Sequence, residues 1–296
     1  MRDAALIGID WGSSSMRAMR ISDGGAILDV RRAQDGVFTG TGDFAVRLRA
    51  HLGDWRARAD EIPIVLCGMI GSDRGWVRSG YVAAPAGLDD LAQALTDAPF
   101  DGVARIVPGV SLSAGDSAEV MRGEETLVMG FVAHAGIGDA RLCMPGTHSK
   151  WVSLRNGRIE AFRTYMTGEL RALVLAGGAL ATDSAQTDSR DAFREGLKAS
   201  GAALAQRLFQ ARARRLLGGL PPEHSASFVS GVLIGEEIEA ESRDARPVFV
   251  LARDGLAADY RIALEEAGIA HTLVDPEPLA ALGLWRIARA AGLLAG

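Results

Sequence analysis

The chain has 296 residues, 48% of them hydrophobic, and a net charge of −5. That length suits two domains or one large one with a sizeable core, and the slight acidity points away from nucleic acid or a membrane surface as partner. No apolar run approaches the ~20 residues of a membrane span, and the apolar stretch in MRDAALIGID is too short for a secretory signal, so the expected setting is the cytoplasm.

Strand-like runs alternate with helical ones, which predicts an α/β protein. Residues 5–10, 16–21 and 26–30 read as a three-strand meander. Its first turn carries Gly12, Ser13, Ser14 and Ser15 just after Asp10, and its second carries Asp23, Gly24 and Gly25. Residues 43–58 have helical spacing, with Asp43 placed to cap the start. Residues 63–67 read as a short buried strand ending on Cys67, residues 88–96 as a helix, 104–107 as a strand and 117–135 as a helix. A second meander follows over 140–144, 150–155 and 158–165, with Gly146, Thr147, His148 and Ser149 in its first turn and Asn156-Gly157 in its second. Residues 166–218 are mostly helical in pattern, as are 225–242, 256–267 and 278–293, while PVFVLA and AHTLVD read as strands. The only cysteines, Cys67 and Cys143, both fall in apolar runs, and two buried thiols fit a reducing compartment.

Each half thus opens with three strands and a Gly-hydroxyl first turn, which suggests a duplicated architecture. Two half-domains facing each other would make a cleft with a phosphate-gripping turn from each side. Residues 1–136 with 279–296 are expected to form one lobe and 137–278 the other. Backbone N–H groups in tight Gly/Ser turns make anion-binding nests, to which hydroxyls add donors. Asp10, at the end of a buried strand, is placed to hold Mg²⁺ directly or through water. These are parts that phosphoryl transfer needs. The competing reading is two ordinary hairpin turns with Asp10 bonded to neighbouring N–H groups. Recurrence in two halves favours the functional reading.

The strings IDWGSSSMRA, CGMIGS with GW following, MRGEETLVMG, MPGTHSKWV, TGEL, and LFQARARRLLGGL leading to FVSGVLIGEE run in order from residue 7 to about 240. In them the chain resembles the 2-dehydro-3-deoxygalactonokinase family, sugar-acid kinases of the actin–hexokinase–Hsp70 fold class. The resemblance implies a two-lobed actin/hexokinase-like ATPase fold with ribonuclease H-like duplicated domains. It also implies ATP with Mg²⁺, and transfer of phosphate to the 6-hydroxyl of 2-dehydro-3-deoxygalactonate in galactonate catabolism. The chain departs from the family at LARDGLAADY, where Arg253 stands in place of a glycine expected near the adenine. A long side chain there is expected to crowd the base or reshape its pocket. The family also varies at Asp73 and Arg74.

Glu124 and Glu125 follow Gly123 at a helix start, where the dipole favours acids without any function. In related kinases the catalytic acid sits near the start of the helix that precedes the second phosphate meander. That position implies Glu124 as general base, with Glu125 and Asp116 as alternatives. Only Lys150 and Lys198 of the 32 basic residues are lysine. A solvated strand position would accept Arg in so Arg-rich a chain, so Lys150 is a candidate to neutralise the transferring phosphate or the substrate carboxylate. Gly12, Ser13, Ser14, Ser15, Gly146, Thr147 and Ser149 are the candidate phosphate-binding residues, with Arg17 beside the first turn. Ser72, Arg74, Trp76, Arg122 and His148 are the candidates on the sugar-acid side, Arg74 and Arg122 for its carboxylate. Burial in the core is the competing reading for Trp76 and Trp151, and a turn cap for His148. Two alternative functions remain: a kinase for a different 2-keto-3-deoxy sugar acid, or a non-catalytic regulator of the same fold that binds ATP or a sugar acid. The chain has no basic helix-turn-helix-like segment, which counts against a DNA-linked sensor.

Overall fold

The structure, a computed structural model, describes residues 4–58, 62–114, 117–199 and 203–294. The chain divides into two compact units: residues 1–140 with 152–162 and 275–296, and residues 141–151 with 163–274.

In the first unit, β1 (Leu6–Trp11), β2 (Met16–Ile21) and β3 (Ile27–Ala33) form the meander. Helix α1 (Phe44–Leu52), β4 (Ile64–Cys67), β5 (Tyr81–Ala83), α2 (Leu88–Gln93), β6 (Thr96–Asp97), β7 (Ala104–Ile106), β8 (Gly109–Ala114), β9 (Ser117–Met121) and α3 (Glu124–Ala135) follow. The main sheet has the order β3-β2-β1-β4-β7-β6. β1 is antiparallel to β2 and parallel to β4. Leu6, Ile7, Ile9 and Trp11 are all at most 1% exposed, as a central strand covered on both faces requires.

The second sheet is built from β10 (Ala140–Met144), β11 (Ser149–Arg155), β12 (Arg158–Tyr165), β13 (Val248–Leu251) and β14 (His271–Val274), in the order β12-β11-β10-β13-β14. Both sheets therefore have a hairpin-linked meander whose first strand is central and receives the later parallel strands on its other side. This is the duplicated ribonuclease H-like topology of the actin–hexokinase class, as expected. Helices α4 (Thr167–Ala176), α5 (Arg190–Leu197), α6 (Leu204–Leu216), α7 (Ser225–Glu241) and α8 (Asp254–Glu266) belong to the second unit. The last helix, α9 (Pro276–Ala290), belongs to the first unit and packs on α3. Glycines allow that contact: a Cβ on Gly130 would collide with the Leu279 carbonyl, and one on Gly283 with the Thr126 carbonyl.

The helix expected over 117–135 is shorter. Residues 117–121 form β9, antiparallel to β8, in a three-stranded sheet of order β5-β8-β9 that the sequence reading did not anticipate. Ala118, Glu119 and Met121 are good helix formers, but their alternation suits pairing with β8, a partner invisible to local propensity. Gly123, at φ +106°, then turns the chain into α3. The helix over 43–58 likewise ends at Leu52 and continues as a 3₁₀ turn, residues 53–58. Cys67 and Cys143 are buried free thiols, as read. Among the described residues no helix is long and apolar enough to cross a membrane.

Candidate active site

Asp10 is the fifth residue of β1, directly across the ladder from Arg17 on β2. Arg17 Nη2 donates to Asp10 Oδ2 at 2.9 Å, and the Asp10 side chain keeps 37% of its surface exposed. Arg17 is thus engaged by Asp10, with Glu277 of α9 at 4.0 Å on its other side, instead of projecting alone towards a phosphate. The adjoining turn is closed by Gly12 N donating to Ser15 O at 2.9 Å. Its carbonyl side is held by the next loop: Val37 N donates to Gly12 O at 2.9 Å and Phe38 N to Ser13 O at 3.0 Å. Ser13, Ser14 and Ser15 remain exposed.

Two glycines bring the start of α3 to the same place. Gly68 follows β4 at φ +91°, and a Cβ there would lie 2.8 Å from Trp11 O and 3.5 Å from Asp10 Oδ1. A Cβ on Gly123 would lie 3.3 Å from Gly68 Cα. Asp10 and the first residues of α3 therefore flank one glycine. The two acids of α3 differ. Glu124 is half-buried and accepts from Arg122 N at 3.0 Å. Glu125 is fully buried; its Oε2 accepts from Gly123 N at 2.6 Å and its Oε1 from Thr126 Oγ1 at 3.2 Å. Burial, followed by the charge of Glu124, pushes the Glu125 carboxyl up to about 7. A carboxylate so enclosed cannot reach an acceptor hydroxyl, which leaves Glu124 as the better-placed acid of the pair. Asp116 lies outside the described residues.

Among the described residues no three His, Cys, Asp or Glu side chains converge on a metal-sized site. A single half-exposed carboxylate beside a hydroxyl turn fits Mg²⁺ nonetheless. This ion keeps much of its water and binds nucleotides through one or two carboxylates plus phosphate oxygens.

Four of the five sugar-acid candidates, Ser72, Arg74, Trp76 and Arg122, lie in the first unit, and His148 lies in the second. Arg122 donates from Nη1 to Ser79 Oγ at 2.5 Å and from Nη2 to Gly80 O at 2.8 Å, and stacks 4.5 Å over Tyr81. Arg122 Nε and the nearby Ser72 Oγ are buried without a hydrogen-bond partner. Arg74 is exposed and lies 4.3 Å over Phe38, whose backbone N–H braces Ser13. Trp76 joins an aromatic row with Phe44 at 6.4 Å and Phe100 at 5.9 Å and packs, partly buried, against the core.

The second unit is organised around its own turn. Thr147 and His148 are exposed, and His148 Nε2 lies 2.5 Å from Glu169 Oε2 on α4. Helix α4 begins against the turn: Glu169 N donates to Thr147 O at 3.0 Å, and a Cβ on Gly168 would collide with Gly146 O. Lys150 is buried, not solvent-facing, and its Nζ donates to His148 O at 3.3 Å. Ser149 is wholly buried too. Its Oγ lies 2.7 Å from Tyr260 OH, so it is not an exposed phosphate ligand; Thr147 supplies the exposed hydroxyl of this turn. Tyr260 OH donates to Glu237 Oε2 at 2.8 Å, Trp151 Nε1 to Glu237 Oε1 at 2.6 Å, and Thr167 Oγ1 also to Glu237. Trp151 is core, as its competing reading holds. Burial raises the Glu237 carboxyl, and its donors oppose the shift. One carboxylate on α7 thereby ties together β11, α4 and α8 beneath the turn. Sequence reading missed Glu237, Thr167 and Tyr260. Each lies in or beside a quoted string, but only the tertiary fold makes them neighbours.

A cavity of about 570 Å³ opens from this turn. Gly146, Thr147, Thr167 and Gly168 line it, together with Arg171, Ser230, Leu233, Ile234, Gly255, Leu256, Asp259 and Tyr260. It pairs a turn and a helix N-terminus, suited to an anion, with apolar walls suited to a flat ring system. Arg253 is exposed at the start of α8, and the cavity wall from this segment begins at Gly255.

The model of the 2-keto-3-deoxy-galactonokinase family matches residues 10–287. The chain is 39% identical to "Probable 2-dehydro-3-deoxygalactonokinase DgoK1" of Rhizobium meliloti (strain 1021), over 95% of this chain and 96% of that one. It is 36% identical to the 2-dehydro-3-deoxygalactonokinase of Escherichia coli (strain K12), over 97% and 98%. A crystal structure from Sinorhizobium meliloti, described in equally provisional terms as this kinase, superposes with a TM-score of 0.85 at 37% identity, covering 96% of this chain and 98% of that one. With the Asp10 turn, the cavity and all but the start of β1 in the two duplicated sheets inside the matched span, the chain belongs to the 2-keto-3-deoxy-galactonokinase family.

Proposed function

We propose that this protein is an ATP-dependent kinase that phosphorylates the 6-hydroxyl of 2-dehydro-3-deoxy-D-galactonate. The observation that carries the reading is the end-to-end match to relatives bearing that name, over a chain in which a half-exposed Asp10 adjoins three exposed serines. In this reading Asp10 holds the magnesium of the nucleotide, and the ion supplies charge neutralisation of the phosphates. Backbone and hydroxyl groups of Ser13, Ser14 and Ser15 hold phosphate oxygens, as do Gly146, Thr147 and the start of α4. Lys150 and Ser149 act from below, by shaping the second turn. The apolar cavity of the second unit takes the nucleoside. Glu124 orients the acceptor hydroxyl and takes its proton late in the transfer. Arg74, an exposed guanidinium of the first unit, is assigned to the sugar-acid carboxylate, with Ser72 and Arg122 as supporting polar groups.

A coupled ATP-consumption assay across a panel of 2-keto-3-deoxy sugar acids and galactose tests the reading. The expected outcome is a kcat/KM that peaks on 2-dehydro-3-deoxygalactonate. A peak on another keto-deoxy acid would reassign the substrate. Equal rates on galactose would remove the sugar-acid assignment, and no turnover on any member would leave a binding protein.

A further inference from the structure

Burial perturbs three carboxyl groups of the second unit, and the fold treats them differently. Glu237 accepts from Trp151, Thr167 and Tyr260. Glu241 accepts from Arg141, Arg163 and Tyr165. Asp259, half-buried on α8 in the wall of the cavity, accepts from no group among the described residues. Burial and then the charge of Asp188 raise its pKa, and only Arg171 opposes them. Arg171 does not form an ion pair with it; its Nε donates instead to Ser230 Oγ at 2.6 Å, on the α7 side of the same cavity. A carboxylate half removed from water and left without donors is unfavourable, and such groups concentrate where a ligand completes them.

The chemistry of the missing partner follows from what a carboxylate does. Ionised, it accepts hydrogen bonds and donates none. It repels phosphate, so the part of a nucleotide beside it is the nucleoside. The cavity agrees: Leu256 stands one helical turn before Asp259 on α8, and Leu233 and Ile234 add apolar surface from α7. The donors a nucleoside offers are its ribose hydroxyls and the exocyclic amine of adenine. Building on the kinase reading above, we infer that Asp259 is the nucleoside-reading residue of this protein, accepting a hydrogen bond from one of those donors and thereby setting nucleotide specificity.

Equilibrium binding by calorimetry tests this without turnover. Four ligands suffice: ADP, 2′-deoxy-ADP, 3′-deoxy-ADP and IDP, which lack respectively no donor, the 2′-hydroxyl, the 3′-hydroxyl and the amine. The intact protein should bind at least one analogue about 10-fold or more weaker than ADP, in line with loss of a hydrogen bond to a charged group. In Asp259→Ala that discrimination should fall to within about 2-fold while the other analogues keep their rank, because the acceptor that read the donor is gone. Asp259→Asn, which keeps shape and one acceptor oxygen, should retain part of it. Equal affinity of the intact protein for all four ligands overturns the inference, as does full discrimination in Asp259→Ala; both leave the kinase reading standing. Absence of ADP binding to the intact protein overturns the two together.

Discussion

The 12–15 turn and the 146–149 turn occupy the same station, each after the central strand of its sheet, and they are anchored in opposite ways. The first is braced from outside. Loop residues Val37 and Phe38 hold the Gly12 and Ser13 carbonyls, and all three serine side chains stay exposed. The second is braced from beneath, through the Ser149–Tyr260–Glu237 chain, and its last hydroxyl is buried. Acids divide in the same manner: Asp10 and Glu124 keep partial exposure near the first turn, whereas Glu237 is enclosed below the second. The difference teaches that one local motif can be anchored in two ways: in the first unit its hydroxyls stay exposed, and in the second its last hydroxyl joins a buried hydrogen-bond chain beside a cavity.

If that division holds, the largest effects on turnover should come from the first unit. Glu124→Gln should lower kcat by about 100- to 10,000-fold, the range for a general base, with little change in ATP affinity. Steady-state kinetics beside nucleotide titration checks both parts; normal turnover, or lost ATP binding, would return Glu124 to a structural role at the start of α3.

Asp10→Asn is next, with an expected loss of roughly 100- to 1,000-fold in kcat, comparable to removing one preorganised electrostatic group. The loss should persist at saturating Mg²⁺. Near-normal rates there would make Asp10 only the partner of Arg17 and blur the contrast between the turns.

Glu125 sharpens the comparison through pH. Its carboxyl stands at about 7 in the folded chain against an ordinary value near 4.5. The folded state therefore holds more protons than the unfolded state between those values, so stability falls as pH rises from about 4.5 through 7. The contribution is at most about 3 kcal/mol. Thermal melts from pH 5 to 8 should show a decline in Tm for the intact protein that is flattened in Glu125→Gln. Parallel profiles would mean that Glu125 is not protonated in the fold.

The smallest effects separate the turns most directly. Ser149→Ala should destabilise by about 1 kcal/mol, because it leaves Tyr260 without one buried partner. Ser14→Ala should stay within about 0.5 kcal/mol, as exposed substitutions do, and raise the KM for ATP instead. Denaturant melts with ATP kinetics on both variants distinguish the cases, and equal behaviour would erase the difference in anchoring.

Much of this was legible from residues alone, for physical reasons that differ by element. The central strands could be read because LIGID and PIVLC bury both faces, and continuous apolar runs of that length suit covered strands. The meanders could be read because Gly-rich turns interrupt alternation at short spacing. The acids at the start of α3 could be located because Gly123 precedes them. What eludes the sequence depends on distant partners: the ladder of β9 with β8 is tertiary, and so is the edge-on contact of Trp76 with Phe100.

The sequence by itself determined the duplicated α/β order, the two hydroxyl turns, the place of Asp10 beside one of them, and the family. The order, the turns and the place of Asp10 rest on local chain chemistry and short-range spacing, which survive in one dimension, and the family rests on the resemblance of whole strings. Only the tertiary structure decided which polar groups face outward and which are enclosed. It buried Ser149 and Lys150, paired Arg17 with Asp10, enclosed Glu125, and left Asp259 without a donor in a cavity wall. The reason is that exposure and hydrogen-bond satisfaction are properties of a side chain's neighbours, and in this fold those neighbours arrive from elements as far apart as β11 and α8.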